Sequence, residues 1–229
     1  MALYAIGDLH LSLSADKPMD VFGPRWENHT EKLREGFSAL TDDDVCVLCG
    51  DLSWGMAIGD CLEDFRFIAS LPGKKIIIKG NHDYWWSTRA KALKFFEENG
   101  IGNIDILNNN CIMYDEKTAL CGTRGWFFEE ETGGEHDRKI MERELGRLET
   151  SLKAAGDAEK ICFLHYPPLF RDYTCPEMLE LLARYGVRRC FYGHIHGAGH
   201  RSATEGLNFG VDYRLVSADY VDFRPVRVL

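Results

Sequence analysis

Five places in this 229-residue sequence set carboxylate, imidazole or amide side chains directly behind a short apolar run. Residues 3–6 lead into Gly7, Asp8, Leu9 and His10, and residues 45–49 into Gly50 and Asp51. The isoleucines 76–78 lead through Lys79 into Gly80, Asn81, His82 and Asp83; residues 161–164 lead into His165, and residues 190–192 into Gly193, His194, Ile195 and His196. These side chains suit Mn, Fe, Zn or Co, and the absence of thiolates steers away from a structural zinc knot. In Asp8-x-His10 and His194-x-His196 the two groups are two residues apart, on one side of an extended chain, where they can share a metal. Five of the eight histidines fall in these motifs.

Elements of a particular kind must hold such groups. A short β-branched run closed by Gly and polar residues reads as a buried strand that delivers its last side chains into a crevice, where α/β sheets keep their chemistry. Between the strands, residues 26–40, 59–69 and 87–99 carry helical spacing, so the first half reads βαβαβα with parallel strands. Residues 104–107, 111–114 and 118–122 are then short strands between polar turns, followed by a long polar helix over 136–155. Pro176 opens a further helix with Leu179, Leu182 and Tyr185 toward the core, and Gly186 stops it. Residues 207–210, 214–216 and 225–228 read as meander strands. The whole is expected to be α/β, two packed sheets with helices on both outer faces. No Gly/Ser or Pro-rich linker divides it, so residues 1–229 are read as one domain.

Composition narrows the function. The length suffices for a core without disulfides, and the 45% hydrophobic and 28% charged residues are those of a soluble globular protein. No apolar run approaches the roughly 18 residues of a membrane span, and the start reads as a strand rather than a signal sequence, so a cytoplasmic location and no membrane partner are expected. A formal net charge of −9 opposes duplex nucleic acid. The eight cysteines read as single buried thiols, with Cys46 and Cys49 on opposite faces of one strand.

The ordered set Asp8-x-His10, Gly50-Asp51, Gly80-Asn81-His82-Asp83, His165 and Gly193-His194-x-His196 resembles the calcineurin-like metallophosphoesterases over residues 3 to about 196. The resemblance implies a four-layer α-β-β-α sandwich and a two-metal centre. Asp8, His10 and His196 resemble the ligands of one metal and Asn81, His165 and His194 those of the other, with Asp51 bridging. It implies a metal-dependent phosphohydrolase that cleaves a small phosphomonoester or phosphodiester by in-line attack of a metal-bridging hydroxide. His82 would contact the phosphate and protonate the leaving oxygen, with Asp83 orienting its ring. The alternatives are a catalytically silent scaffold of the same fold, and a nuclease or cyclic nucleotide phosphodiesterase. Many relatives carry an acidic residue shortly after the Gly-Asp motif, whereas this chain has Leu52-Ser53-Trp54-Gly55, which leaves the substrate class open.

On the substrate side stand Asn81 and Arg124, the latter in Gly122-Thr123-Arg124-Gly125-Trp126 either as a phosphate clamp or as half of an ion pair. Trp54, Tyr84, Trp85 and Trp86 read either as stacking surfaces for a ring or as core. Residues 11–24 form a long irregular stretch, either a rim over the metal pocket or a disordered loop. His29 and His136 are assigned to the surface, as is His200, whose alternative is to line the pocket. Glu129, Glu130 and Glu131 read as a solvated charge run.

Overall fold

The computed structural model describes residues 1–127 and 134–229; the Glu129–Glu131 charge run lies outside the described residues. Its elements follow in chain order. β1 (Leu3–Ile6), α1 (His29–Phe37), β2 (Val45–Leu48), α2 (Leu62–Ser70), β3 (Lys74–Ile77), α3 (Arg89–Glu98) and β4 (Ile104–Ile106) make the first half. β5 (Ile112–Met113), β6 (Thr118–Thr123), α4 (Glu135–Ala154), β7 (Glu159–Leu164), β8 (Leu169–Phe170) and β9 (Tyr173–Thr174) follow, then α5 (Pro176–Arg184), β10 (Arg189–Tyr192), β11 (Gly206–Asn208), β12 (Val211–Leu215) and β13 (Val226–Arg227).

Strand periodicity builds the layers. On β2, Val45 and Val47 and the following Cys49 enter one apolar cluster while Cys46 and Leu48 enter another; β7 divides Ile161 and Phe163 from Cys162 and Leu164 in the same way. The cluster shared by Leu3, Val47, Ile76, Leu120, Phe163 and Phe191 lies between the two sheets. On the outer face of the first sheet, Leu33 and Phe37 of α1, Phe65 of α2 and Phe96 of α3 complete a second core. On the other side, Leu148 and Leu152 of α4 and Met178 and Leu182 of α5 complete a third. The chain is thus a four-layer α-β-β-α sandwich. The two sheets run β13-β1-β2-β3-β4 and β11-β12-β10-β7-β6-β5. β1 to β4 are parallel, as are β6, β7, β10 and β12, so their C-terminal ends gather on one rim.

Two local expectations are corrected. The last strands are a meander only in part: β11 and β12 pair antiparallel, but β12 also joins β10 in parallel, and β13 crosses to the other sheet and pairs antiparallel with β1. A two-residue strand carries no pattern that names its partner, and the open edge of β1 supplies unpaired backbone groups to satisfy. On α5 the buried residues are Met178, Leu181 and Leu182, with Leu179 and Tyr185 half-buried at the margins.

All eight cysteines are free, seven of them buried. Lys75 is buried in β3, its ammonium donating to the carbonyls of Leu71 and Gly73, and burial lowers its pKa to about 8. The unfolded chain holds that proton up to about pH 10.4, so between these limits the unfolded state binds more protons and the stability of the folded state rises with pH. Replacing Lys75 by Met removes this slope. In urea unfolding, the wild-type midpoint relative to Lys75→Met should shift upward from pH 7.5 to pH 9.5; an unchanged difference would mean that Lys75 is not desolvated.

Candidate metal centre

The five motif groups meet at the rim. Asp8, His10 and His196 offer ligand atoms within 4.8 Å of one another, and so do Asp51, His165 and His194. Asp51 faces both sets, its Oδ2 lying 3.8 Å from His10 Nε2 and 3.5 Å from His165 Nε2. Asn81 Oδ1 lies 2.6 Å from His165 Nε2 and 2.9 Å from His194 Nδ1.

The backbone is bent to achieve this. Asp8, His10, Asp51 and His194 all have left-handed φ between 46° and 71°, a conformation that costs a non-glycine residue about 1–3 kcal/mol and collects at functional sites. Crossed hydrogen bonds hold the turns. Asp8 N–H donates to Gly50 O and His10 N–H to Asp51 O, while His194 N–H donates to the Asp8 carboxylate at 3.0 Å. Two of the motif glycines are required by close approach rather than by a sharp turn. A Cβ on Gly80 would stand 2.1 Å from Asp51 Oδ1, and one on Gly193 2.4 Å from Asp8 Oδ2. Gly50 alone of the three takes positive φ, at 86°.

Hydrogen bonding assigns the tautomers. His165 Nδ1 lies 2.9 Å from Cys49 O, which can only accept, so Nδ1 carries the proton and Nε2 is a bare lone pair facing Asn81 Oδ1 and Asp51 Oδ2. His196 Nδ1 lies 2.8 Å from Asp219 Oδ1, leaving its Nε2 to face Asp8 Oδ1 at 3.2 Å and His10 Nε2 at 3.4 Å. Lone pairs aimed at carboxylate and amide oxygens repel unless a cation or proton stands between them. Both sets therefore fit cations, and mixed N/O donors suit transition metals.

Titration follows the same crowding. Burial lowers the pKa of His10 and of His194, with their histidine neighbours adding to it. Burial pushes the Asp51 carboxyl up to about 7 against the attraction of His165, with Asp8 and Asp83 adding to the rise. At His196 burial works downward, but the carboxylates of Asp8 and Asp219 prevail and raise it to about 10.

His82 is half-buried, its ring 4.5 Å from that of Trp54 and its Nδ1 3.3 Å from the Tyr84 hydroxyl. Burial first, then His165 and Lys17, lower its pKa to about 4. The ring-orienting role expected of Asp83 is corrected. Its carboxylate accepts the backbone N–H groups of Asp51, Leu52 and Gly80 and the Trp85 indole, and so clamps the loops behind the site. Its completely buried oxygens point into that crossing of backbones, away from the exposed side where His82 meets Tyr84.

Trp54 stacks on His10 with ring centroids 5.0 Å apart, while Lys17 lies 3.4 Å above Trp54 and Met19 Sδ accepts its indole N–H. Residues 11–24 are therefore ordered against the site: Leu11 bridges Ser53 and the Leu13 N–H donates to the buried Asp64. Trp85 is core, Trp86 half-buried and Tyr84 exposed. Arg124 pairs with the buried Glu144 at 3.3 Å and lines a cavity apart from the ligands. Among the histidines assigned to the surface, His29 is half-buried against Trp26 and Phe223, and His200 Nε2 lies 3.3 Å from Asp219 Oδ2.

Asp219 is the residue that sequence reasoning missed. It follows β12 within Ser217-Ala218-Asp219, an apolar strand ending in polar groups like the others, but with no histidine to flag it. Besides holding His196, it accepts the Gly197 N–H at 3.1 Å. Asp219→Asn should weaken metal binding at the Asp8 set by about 10–100-fold. Chelator competition measures this, and equal affinity would mean that His196 needs no partner.

The fold and this centre define a metallophosphoesterase. A family model for calcineurin-like phosphoesterases matches residues 1–198, and the chain belongs to that family. Among solved structures it is similar to the phosphopantetheinyl hydrolase PptH from Mycobacterium tuberculosis, at 14% identity and a TM-score of 0.62 over 100% of this chain and 95% of that one. It is also similar to the protein of unknown function AQ665 from Aquifex aeolicus, at 18% identity and a TM-score of 0.52 over 99% and 95%. TT1561 of Thermus thermophilus is similar at 14% identity and a TM-score of 0.51 over 85% and 81%. Such identities speak to fold. Comparison with curated proteins finds no match. Among the described residues no helix is long and apolar enough to cross a membrane.

Proposed function

We propose that the protein is a dinuclear phosphohydrolase acting on small phosphoesters. The observation that carries this is Asp51 Oδ2 facing His10 and His165, one from each ligand set. Asp8, His10 and His196 would hold one cation, and Asn81, His165 and His194 the other, with Asp51 reaching both. Bound there, the cations supply Lewis acidity toward the phosphoryl oxygens and lower the pKa of water.

The chain's own residues do the rest. The carbonyl of Cys49 and the carboxylate of Asp219 hold the two imidazoles in the tautomers that expose Nε2. His82 stands on the open side of the Asp51 carboxylate, its own backbone N–H donating to Asp51 Oδ1 at 2.7 Å. A ring kept neutral by burial offers one N–H to a phosphoryl or leaving oxygen, and an approaching phosphate dianion raises its basicity enough to carry a proton. Trp54 packs behind both His10 and His82, fixing acid and ligand relative to each other.

The test is elemental analysis of purified protein, with and without added Mn, paired with hydrolysis of bis-p-nitrophenyl phosphate and p-nitrophenyl phosphate. About two metals per chain and a clear preference for one ester are the expected result. Less than one metal, with neither ester cleaved after reconstitution, would overturn the proposal in favour of a silent scaffold.

A further inference from the structure

A cavity of about 100 Å³ opens between the ends of β3 and β6 and the flank of α4. Lys79, Arg124 and Arg147 line it, with Glu144 as the carboxylate among the lining residues. Glu144 is completely buried and already engaged. Its Oε1 receives Arg147 at 2.7 Å and Arg124 at 3.3 Å, and its Oε2 the Thr123 hydroxyl at 2.6 Å. Three cations against one carboxylate leave an excess of two positive charges among the described lining residues, in a chain whose net charge is −9.

Among the described residues the buried Arg124 Nε has no hydrogen-bond partner, while the guanidinium lies 4.8 Å over the Trp126 ring. A buried unpaired donor on a charged group is rare and costly, and an absent anion is one of its ordinary explanations. The volume admits a few waters or one compact oxyanion, and guanidinium groups match a tetrahedral oxyanion by paired N–H donation.

We infer that the Lys79–Arg124–Arg147 cavity is a phosphate-binding site separate from the metal centre. It communicates with that centre through the backbone. The Arg124 carbonyl accepts the N–H groups of His165 and Tyr166, and Lys79 precedes Gly80 and Asn81. The phosphate is either free in solution or carried on a substrate away from the bond that breaks. This inference stands on the cavity and does not require the metal centre to be active.

Calorimetric titration of the metal-loaded protein with inorganic phosphate tests it. Wild type should bind two phosphates per chain, and Lys79→Gln and Arg147→Gln should each weaken one site on the order of tenfold or more, the loss of one charge-assisted contact. Arg147 lies on α4 with its side chain 35% exposed, and a thermal melt matching wild type shows that its variant is folded. Asp51→Asn should keep the cavity site and lose the other. One phosphate, lost in Lys79→Gln but kept in Asp51→Asn, would support the cavity and count against the metal reading. One phosphate lost in Asp51→Asn and untouched in Lys79→Gln and Arg147→Gln overturns the inference. Pyrophosphate as an inhibitor separates the two sources. An advantage over phosphate that vanishes in both cavity variants identifies a substrate-borne group, and no advantage, with the second phosphate still bound, identifies a free one.

Discussion

Asp51→Asn should abolish hydrolysis and reduce the metal content of the protein while leaving it folded. The Asp51 carboxylate is buried between both ligand sets, 3.5 Å from His165 Nε2 and 3.8 Å from His10 Nε2. An amide keeps the size and the Oδ1 acceptor for the His82 N–H, but it removes the one anionic charge that both sets share. Losing electrostatic stabilisation of several kcal/mol corresponds to a fall in kcat on the order of 10³-fold. Metal-free protein should respond in the opposite sense. Asp8, Asp51 and Asp83 crowd one another, and this repulsion adds to the burial that drives the Asp51 carboxyl up to about 7, so a neutral side chain relieves the apoprotein. The expected outcome is a melting temperature for the metal-free variant at or above that of metal-free wild type, with metal no longer raising it. A variant that retains two tightly held metals and wild-type turnover would remove Asp51 from the centre.

His82→Ala should leave metal content unchanged and lower kcat by about 10²–10⁴-fold, the usual span of a positioned acid or base. The ring packs against Trp54, Tyr84 and the ligand His10, with 5.7 Å between the His10 and His82 ring centroids, and among the described residues its side-chain hydrogen bond is to Tyr84, not to a member of either ligand set. The loss should depend on the leaving group. An alkyl phosphate, whose alkoxide must be protonated, should suffer far more than a p-nitrophenyl ester, whose phenolate departs unaided. Equal losses would assign His82 to holding the phosphoryl group rather than to proton transfer. Because burial keeps this imidazole's pKa near 4 in the free protein, the acid limb of kcat/KM should not be set by His82 at neutral pH. A substrate dianion restores its basicity, so the effect belongs in kcat.

Much of this was legible in the chain because strand chemistry is local. A parallel strand buried on both faces must be a short apolar run, and the residues that follow it must leave the sheet at its C-terminal rim. Thus Leu3–Ile6, the isoleucines of β3 and the Cys190–Tyr192 run announce themselves, and the polar groups behind them share one rim. Spacing of two residues likewise placed Asp8 with His10, whereas His194 and His196, which the same spacing put on one metal, divide between the two sets because His194 takes a left-handed backbone and breaks the alternation.

What the local pattern could not carry was decided by contacts between distant segments. Asp83 and His82 are neighbours in sequence, yet Asp83 turns inward to collect N–H groups from the Asp51 loop about thirty residues away, because a buried carboxylate needs donors and crossing backbones provide them. Asp219 reaches His196 only because β12 lies beside β10 in parallel, a pairing that its own residues do not specify. Arg124 reads equally well as a clamp or an ion pair, and only α4 packing on the second sheet, which brings Glu144 and Arg147 against it, forms the pair and encloses the cavity beside it. Sequence alone determined which residue types stand at strand ends. Tertiary structure decided which of them face one another, because charge and hydrogen-bond partners act across space and not along the chain.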